Sequence, residues 1–369
     1  MSRLFSPSTM GSMKLSNRIV VAPMCQYSAV DGVMMDWHRM HYGNFALSGA
    51  GLVIIEATAV EPEGRISYRD LGLWSDEQKD QLKGFLESIR TYSTAKFGIQ
   101  LAHAGRKGST EVPWQGGHSL AATDKNGWQT LSSSNVAFGD YAAPVAMTVE
   151  RIAQFKKAFV GAALRAQDAG IDLIEIHGAH GYLLHQFMSP LANRREDQYG
   201  GSFENRIRLL LEVFNEVKAV LKPSITLGVR ISASDWVDGG WDLAQSMALA
   251  KQLEAMGCDY IHVSSGGLSS KQQIVIGPNY QVPFAQGIKQ VVTMPVITVG
   301  LITDPEQAEA ILLTEQADFI ALGRAMMYDP RWPWHAAVKL KETIDVAPQY
   351  LRAEPHFAKG TLLKAPVLE

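Results

Sequence analysis

The sequence predicts a (β/α)8 TIM barrel, an α/β fold occupying residues 1–369 as one unit, on three observations. Eight short apolar runs, most of them rich in Val, Ile and Leu, alternate with stretches of helical spacing. Such runs read as parallel strands buried on both faces. Polar and glycine residues gather just past the C-terminal ends of the runs, the face on which barrels of this kind carry their sites. A doubly wound open sheet would need a glycine-rich fingerprint after its first strand, and Pro23-Met24-Cys25-Gln26-Tyr27-Ser28 is not one.

An N-terminal hairpin is expected before the first strand, Ile19 to Ala22, which stops at Pro23 and exits into Met24, Cys25, Gln26 and Tyr27. His38 to Ser48 is read as helix, and Leu52 to Ala57 as the second strand. Ser75 is a cap with Gln78 three residues on, so a helix starts there and carries Leu82, Phe85, Leu86 and Ile89 on one face. Phe97 to Leu101 is the third strand and leads into His103, Arg106 and Lys107.

Regular alternation lapses over residues 108–146, an excursion long enough to imply a covering role, with a short hairpin inside it. Thr148 caps the next helix, in which Ile152, Phe155 and Phe159 share a face and Gly170 marks the end. The fourth strand, Leu173 to Ile176, delivers His177, His180 and Tyr182 into a glycine-flanked loop. A helix over Leu209 to Val220 follows, then a fifth strand, Ile225 to Ile231, with Arg230 near its end. Asp242 to Met256 is helix, Tyr260 to Ser264 the sixth strand, and Pro295 to Gly300 the seventh. Asp304-Pro305 opens a helix by the cap-then-proline pattern, and the eighth strand, Phe319 to Leu322, ends in Gly323-Arg324. Residues 345–369 form a C-terminal tail.

Composition bounds the function. Of the 369 residues 46% are hydrophobic and 19% charged, and a net charge of -3 without long runs of one sign gives no footprint for nucleic acid or an anionic membrane. Two distant cysteines, Cys25 and Cys258, make neither a disulfide framework nor an iron–sulfur quartet. The polar N-terminus lacks the apolar core of a signal peptide and no later run approaches a membrane span, so a reducing, cytoplasmic setting is expected.

Three readings stay open for His177 and His180: hydrogen-bonded structural histidines, a pair of donors to a substrate oxygen, or two metal ligands. The last, a zinc hydrolase, needs a third ligand such as His103 or Asp235. Gly300, Gly323 and Arg324 stand where barrels of this kind hold phosphate, with a helix N-terminus at Ala325, although Arg324 also suits a surface ion pair. Gln100 offers an amide to a flat heterocycle, and Arg230 either a charge beside such a ring or a structural ion pair. Phosphate site, amide and charge in one mouth point to a phosphorylated flavin. Trp114, Trp236 and Trp332 either shape that pocket or fill core and loops.

The segments RIVVAPMCQYS, IIEATAV, GIQLAHAGRK, HGAHGYLLHQFMSPLANRREDQYGGSFENR, GVRIS and ALGRA make the chain resemble the old yellow enzyme family of FMN-dependent ene-reductases along nearly its whole length. Cys25 followed by Tyr27 resembles its thermophilic-like and xenobiotic-reductase branch. The resemblance implies that Ala22, Pro23, Met24 and Cys25 run along FMN, with the Cys25 thiol tuning its potential. It implies backbone contact from Ala57, pyrimidine contacts from Gln100 and Arg230, and a phosphate grip from Gly300, Gly323 and Arg324. His177 and His180 would donate to the carbonyl or nitro oxygen of an activated alkene, Tyr27 would close the pocket, and Tyr182 would supply the proton.

NADPH or NADH would reduce the flavin first, in ping-pong fashion, with Arg106 and Lys107 either gripping the reductant's phosphates or forming a solvated loop pair. Arg352, in QYLRAEPHF, would reach a neighbouring subunit of a homodimer or homotetramer. Two rivals remain. A larger flavin relative with an iron–sulfur cluster lacks its cysteines here, and a non-catalytic redox sensor acting through Cys25 sits poorly with an intact Tyr182, His177 and His180.

Overall fold

In the computed structural model, residues 2–366 are described, so residues 367–369 of the expected tail lie outside them. Eight strands close into a barrel: β1 Ile19–Val21, β2 Leu52–Ala59, β3 Lys96–Ala102, β4 Leu173–Gly178, β5 Thr226–Ser232, β6 Tyr260–Ser264, β7 Val296–Thr298 and β8 Phe319–Leu322. Neighbours pair in chain order, every pair parallel, and β8 returns to β1. The fold class read from the sequence is the one observed.

Eight helices wrap the strands: α1 Asp36–Ala46, α2 Asp76–Arg90, α3 Val149–Ala169, α4 Phe203–Val220, α5 Leu243–Ala255, α6 Val282–Lys289, α7 Pro305–Leu313 and α8 Trp332–Leu340. One apolar layer lies between strands and helices, where Phe85, Phe97, Phe155, Phe159 and Phe214 are buried. A second fills the barrel with Val20, Leu52, Ile54, Leu173, Tyr260, Ile297 and Phe319. The antiparallel hairpin of Ser8–Met10 and Met13–Leu15 plugs its base, burying Met10 and Met13 in that inner cluster. Closing the base leaves the opposite end as the mouth.

Local chemistry explains most elements. The Ser75 and Gln78 capping box forms, and Thr148, Ser202, Asp242 and Asp304 accept from the first turns of α3, α4, α5 and α7. Because Ser202 is the cap, α4 begins at Phe203 and not at Leu209. Helices α6 and α8, not expected above, each carry a proline in the first turn, Pro283 and Pro333, while their N-caps, Gln281 and Arg331, make no side-chain cap bond. The excursion over 108–146 opens with the expected short hairpin, Thr110 bridging Ser119 antiparallel around the turn at Pro113–Gln115, while Leu131–Ser132 and Val145–Ala146 pair in parallel farther on. Of the tail, Leu363–Lys364 pairs with Ile344–Asp345.

Candidate active site

At the end of β4 the chain turns sharply, His180 at φ +57 and Gly181 at φ +73, and three rings meet. The His177 ring centroid lies 5.1 Å from that of His180 and 5.0 Å from that of Tyr182, both contacts edge-to-face. The amide of Ala179 donates to His177 Nδ1 at 3.2 Å, so the ring proton sits on Nε2, which bonds nothing among the described residues. His180 Nε2 lies 2.8 Å from Ser264 Oγ, whose other acceptor is the Ile231 carbonyl at 3.0 Å; with the Ser264 hydroxyl turned to donate to Nε2, the ring proton sits on Nδ1, which is free among the described residues. Burial, then the nearby Arg230 charge, holds both imidazoles well below the usual histidine range, so both are neutral, each with a single N–H. Burial also pushes the Tyr182 phenol far up, keeping its proton in place.

A buried network lies beneath the rings. Glu175 on β4 accepts from Gln100 Nε2 at 2.7 Å and lies 2.9 Å from His262 Nδ1 and 3.3 Å from the Tyr260 hydroxyl. With its amide nitrogen tied down, Gln100 keeps its carbonyl oxygen unbonded among the described residues, as an acceptor. Arg230 is only 6% exposed, and its Nε has no partner among the described residues. No carboxylate stands within ion-pair distance of it among the described residues, while the buried Glu175 charge attracts it from farther off. A buried donor of this kind is costly unless something accepts from it.

Arg230 opens into a cleft of about 260 Å³ lined also by His180, Ser264, Tyr280, Gly300 and Arg324. Gly323 lines it as well, capping the short helix Arg324–Tyr328. Gly300 has φ +132, and a Cβ there would meet Gln281 at 2.9 Å. Arg324 is exposed and makes no ion pair among the described residues. Partly exposed Cys25 and Tyr27, the latter at φ +49, follow β1, while Trp114 packs its edge against Tyr27 at 6.2 Å. Trp332 is core, its indole donating to Thr303, and Trp236 packs on Phe284. An unbonded buried guanidinium, an acceptor amide and a second arginine at a glycine-lined end fit flavin mononucleotide, which has a hydrogen-bonding ring at one end and a phosphate at the other.

Other candidates are committed elsewhere. His103 Nε2 meets Glu61 at 3.0 Å and Asp235 meets His185 Nε2 at 2.8 Å, so neither supplies a third metal ligand to His177 and His180. No group of three or more His, Cys, Asp or Glu among the described residues is placed to hold a metal ion. Arg106 is buried and donates to the carbonyls of Val136, Ala137 and Leu268, and Lys107 to those of His180 and Gly267. They are not a solvated loop pair: Lys107 Nζ is held by its two carbonyls, and Arg106 keeps only Nε without a partner among the described residues. Arg352 is exposed on the turn Pro348–Ala353.

Several contributors carried no sequence signal. Tyr280 precedes an uncapped helix, and Ser264 looked like one more strand-end hydroxyl. Glu56, an extra residue in β2 where the β2–β3 register shifts, became visible only with His38 of α1 against it.

A profile of the NADH:flavin oxidoreductase / NADH oxidase family matches residues 3–343. A Listeria innocua protein named NADPH dehydrogenase is 45% identical over 356 residues, 96% of this chain and 99% of that protein. A Bacillus pumilus protein of the same name is 44% identical over 95% of this chain and 99% of its own length. Morphinone reductase superposes with a TM-score of 0.78 at 28% identity, over 100% of this chain and 95% of that one. A 2-naphthoyl-CoA reductase shares the fold at a TM-score of 0.82 and 23% identity over 91% of this chain, which spans only 52% of that longer protein. No helix among the described residues is long and apolar enough to cross a membrane. Matched over nearly its whole length, the chain belongs to the NADH:flavin oxidoreductase / NADH oxidase family.

Proposed function

We propose that this flavin-dependent oxidoreductase is an ene-reductase, reducing the activated C=C bond of α,β-unsaturated carbonyl or nitro compounds. The observation that carries the reading is the three-ring cluster: two neutral histidines, each with one ring nitrogen free, beside a phenol that burial keeps protonated. When bound, FMN supplies the hydride, having taken it from NADPH or NADH. Ala22, Pro23, Met24, Cys25 and the Ala57 backbone would lie along FMN, Gln100 and Arg230 at its pyrimidine, and Gly300, Gly323 and Arg324 at its phosphate.

The chain's own groups do the rest. His177 Nε2–H and the free nitrogen of His180 hold the substrate oxygen and stabilise charge that grows on it as the β-carbon accepts hydride. Tyr182 gives its proton to the α-carbon, and Tyr27 with Trp114 narrows the pocket on the other side. Exposed Arg352 is free to enter a neighbour's site in a homodimer or homotetramer, and a cytoplasmic home suits two free cysteines.

An anaerobic visible spectrum tests this. Yellow protein should bleach with NADPH and recover on adding 2-cyclohexenone. Bleached protein that the enone leaves reduced counts against the substrate class, and colourless protein that cannot be reconstituted with FMN counts against the whole reading.

A further inference from the structure

Lys107 lies where four segments of the mouth cross. It leaves the β3 exit and sends Nζ to the carbonyl of His180 at 2.9 Å and to that of Gly267, after β6, at 2.8 Å. The same ammonium sits 5.1 Å from the Tyr182 ring centroid and 4.7 Å from that of Phe138 in the covering loop. No carboxylate among the described residues pairs with it. The groups around it are two carbonyl dipoles and two ring faces, so its charge is balanced by partial charges alone.

This placement has two consequences. The His180–Gly181 peptide follows a residue in the left-handed region, and Lys107 is the only group bonded to that carbonyl among the described residues. Holding it fixes the turn that aims the His180 ring and begins the approach to Tyr182. When the Tyr182 phenol gives up a proton, the resulting negative charge is born in a water-poor site, where a cation close to the ring matters most. Burial, with Arg106 adding, lowers Lys107 to about 8, so it still carries its charge at neutral pH.

We infer that Lys107 is a positioning residue for the proposed ene-reduction: it fixes the His180 donor through its carbonyl and sets a positive charge against the ring that delivers the proton. The inference rests on the reading of His180 and Tyr182 above, and its action is through them and not on substrate directly.

The test uses the FMN-loaded enzyme with Lys107→Met, which keeps length without charge or donors, and Lys107→Arg, which keeps both. Phenol binding, followed by its perturbation of the flavin spectrum, and the two half-reactions, followed by rapid anaerobic mixing, are compared with wild type. Expected for Lys107→Met is normal FMN content, phenol bound about tenfold more weakly, and reoxidation by 2-cyclohexenone slowed about tenfold more than reduction by NADPH. Lys107→Arg should recover most of both losses. Unchanged phenol affinity in Lys107→Met overturns the inference, as does an equal fall of both half-reactions together with loss of FMN, the signature of a merely structural lysine. If wild type binds phenol yet is never reoxidised by the enone, the ene-reductase reading fails while the phenol titration still decides Lys107.

Discussion

His38 Nε2 on α1 meets the Glu56 carboxylate of β2 at 3.0 Å, with both side chains withdrawn from water. The Met35 amide donates to His38 Nδ1, so the proton on Nε2 faces Glu56, whose other oxygen accepts the Gln26 amide beside Cys25. Burial raises the Glu56 pKa against the opposing pull of His38 and that amide. The pair therefore ties the loop carrying Cys25 to the outer helix. Removing one partner of a buried pair strands the other, so His38→Ala should lower the unfolding free energy by about 3 kcal/mol and disturb the flavin spectrum. Urea unfolding with an unchanged m value measures it. A loss below about 1 kcal/mol would mean that the pair contributes no more than a surface contact.

How far the sequence reaches is plain from such cases. The strand ends carrying His177, Arg230 and Arg324 were legible because strand periodicity and glycine punctuation are local signals, as was the Ser75–Gln78 capping box. The partners that hold those side chains were not. Lys107 finds its carbonyls 73 and 160 residues away, and Arg106 bonds Leu268 across 162, contacts that no window of sequence contains. Two basic residues after a strand look solvated until the covering loop is folded over them. The parallel pairing of Leu131–Ser132 with Val145–Ala146 was hidden for the same reason, since segments this short carry no strand periodicity.

His177→Ala combined with His180→Ala should leave FMN bound while weakening phenols and enones by one to two orders of magnitude, roughly the worth of one or two hydrogen bonds to a charged or charging oxygen. Spectral titration with a phenol checks this. Loss of FMN with normal phenol affinity would move the histidines from the substrate side to the cofactor side.

Tyr182→Phe keeps the ring that packs on His177 and the contact with Lys107 but removes the transferable proton. Reduction by NADPH should then be nearly unchanged while reoxidation by an enone falls by about 10²-fold or more, the range of a positioned general acid. An equal rate of reoxidation in the variant would assign the proton to another group or to water.

Stability should depend on pH with a sign set by buried imidazoles. His41 is lowered to about 4 by burial and then by His38, and His177 and His180 are held well below the usual value. Unfolded histidines titrate near 6.5, so from about 6.5 down to about 4 the unfolded chain binds more protons and stability is lost as pH falls. Asp70 acts oppositely: burial raises it to about 7, so the folded chain keeps a proton the unfolded chain has released, and stability falls as pH rises from about 4 to about 7. Asp70→Asn should therefore steepen the acid loss and His41→Phe should soften it. Denaturant midpoints between pH 4.5 and 7.5 would show it, and identical slopes in all three proteins would remove both assignments.

The loops after β4 and β6 interlock through two glycines. A Cβ on Gly181 would stand 2.1 Å from the Gly267 carbonyl oxygen, and one on Gly267 would stand 2.5 Å from that of His180. Both residues also have positive φ, +73 and +92. Gly239, with φ +72 and nothing within 4 Å of its would-be Cβ, separates the two effects. Gly239→Ala should cost only the left-handed backbone penalty, about 1 kcal/mol. Gly267→Ala must in addition push His180 and its carbonyl away from Lys107, so it should cost about 2–3 kcal/mol more and weaken phenol binding, which Gly239→Ala leaves intact. Equal destabilisation and equal phenol affinity in the two variants would mean that the two loops are merely neighbours, and that the close approach of Gly267 to His180 does nothing to aim the ring.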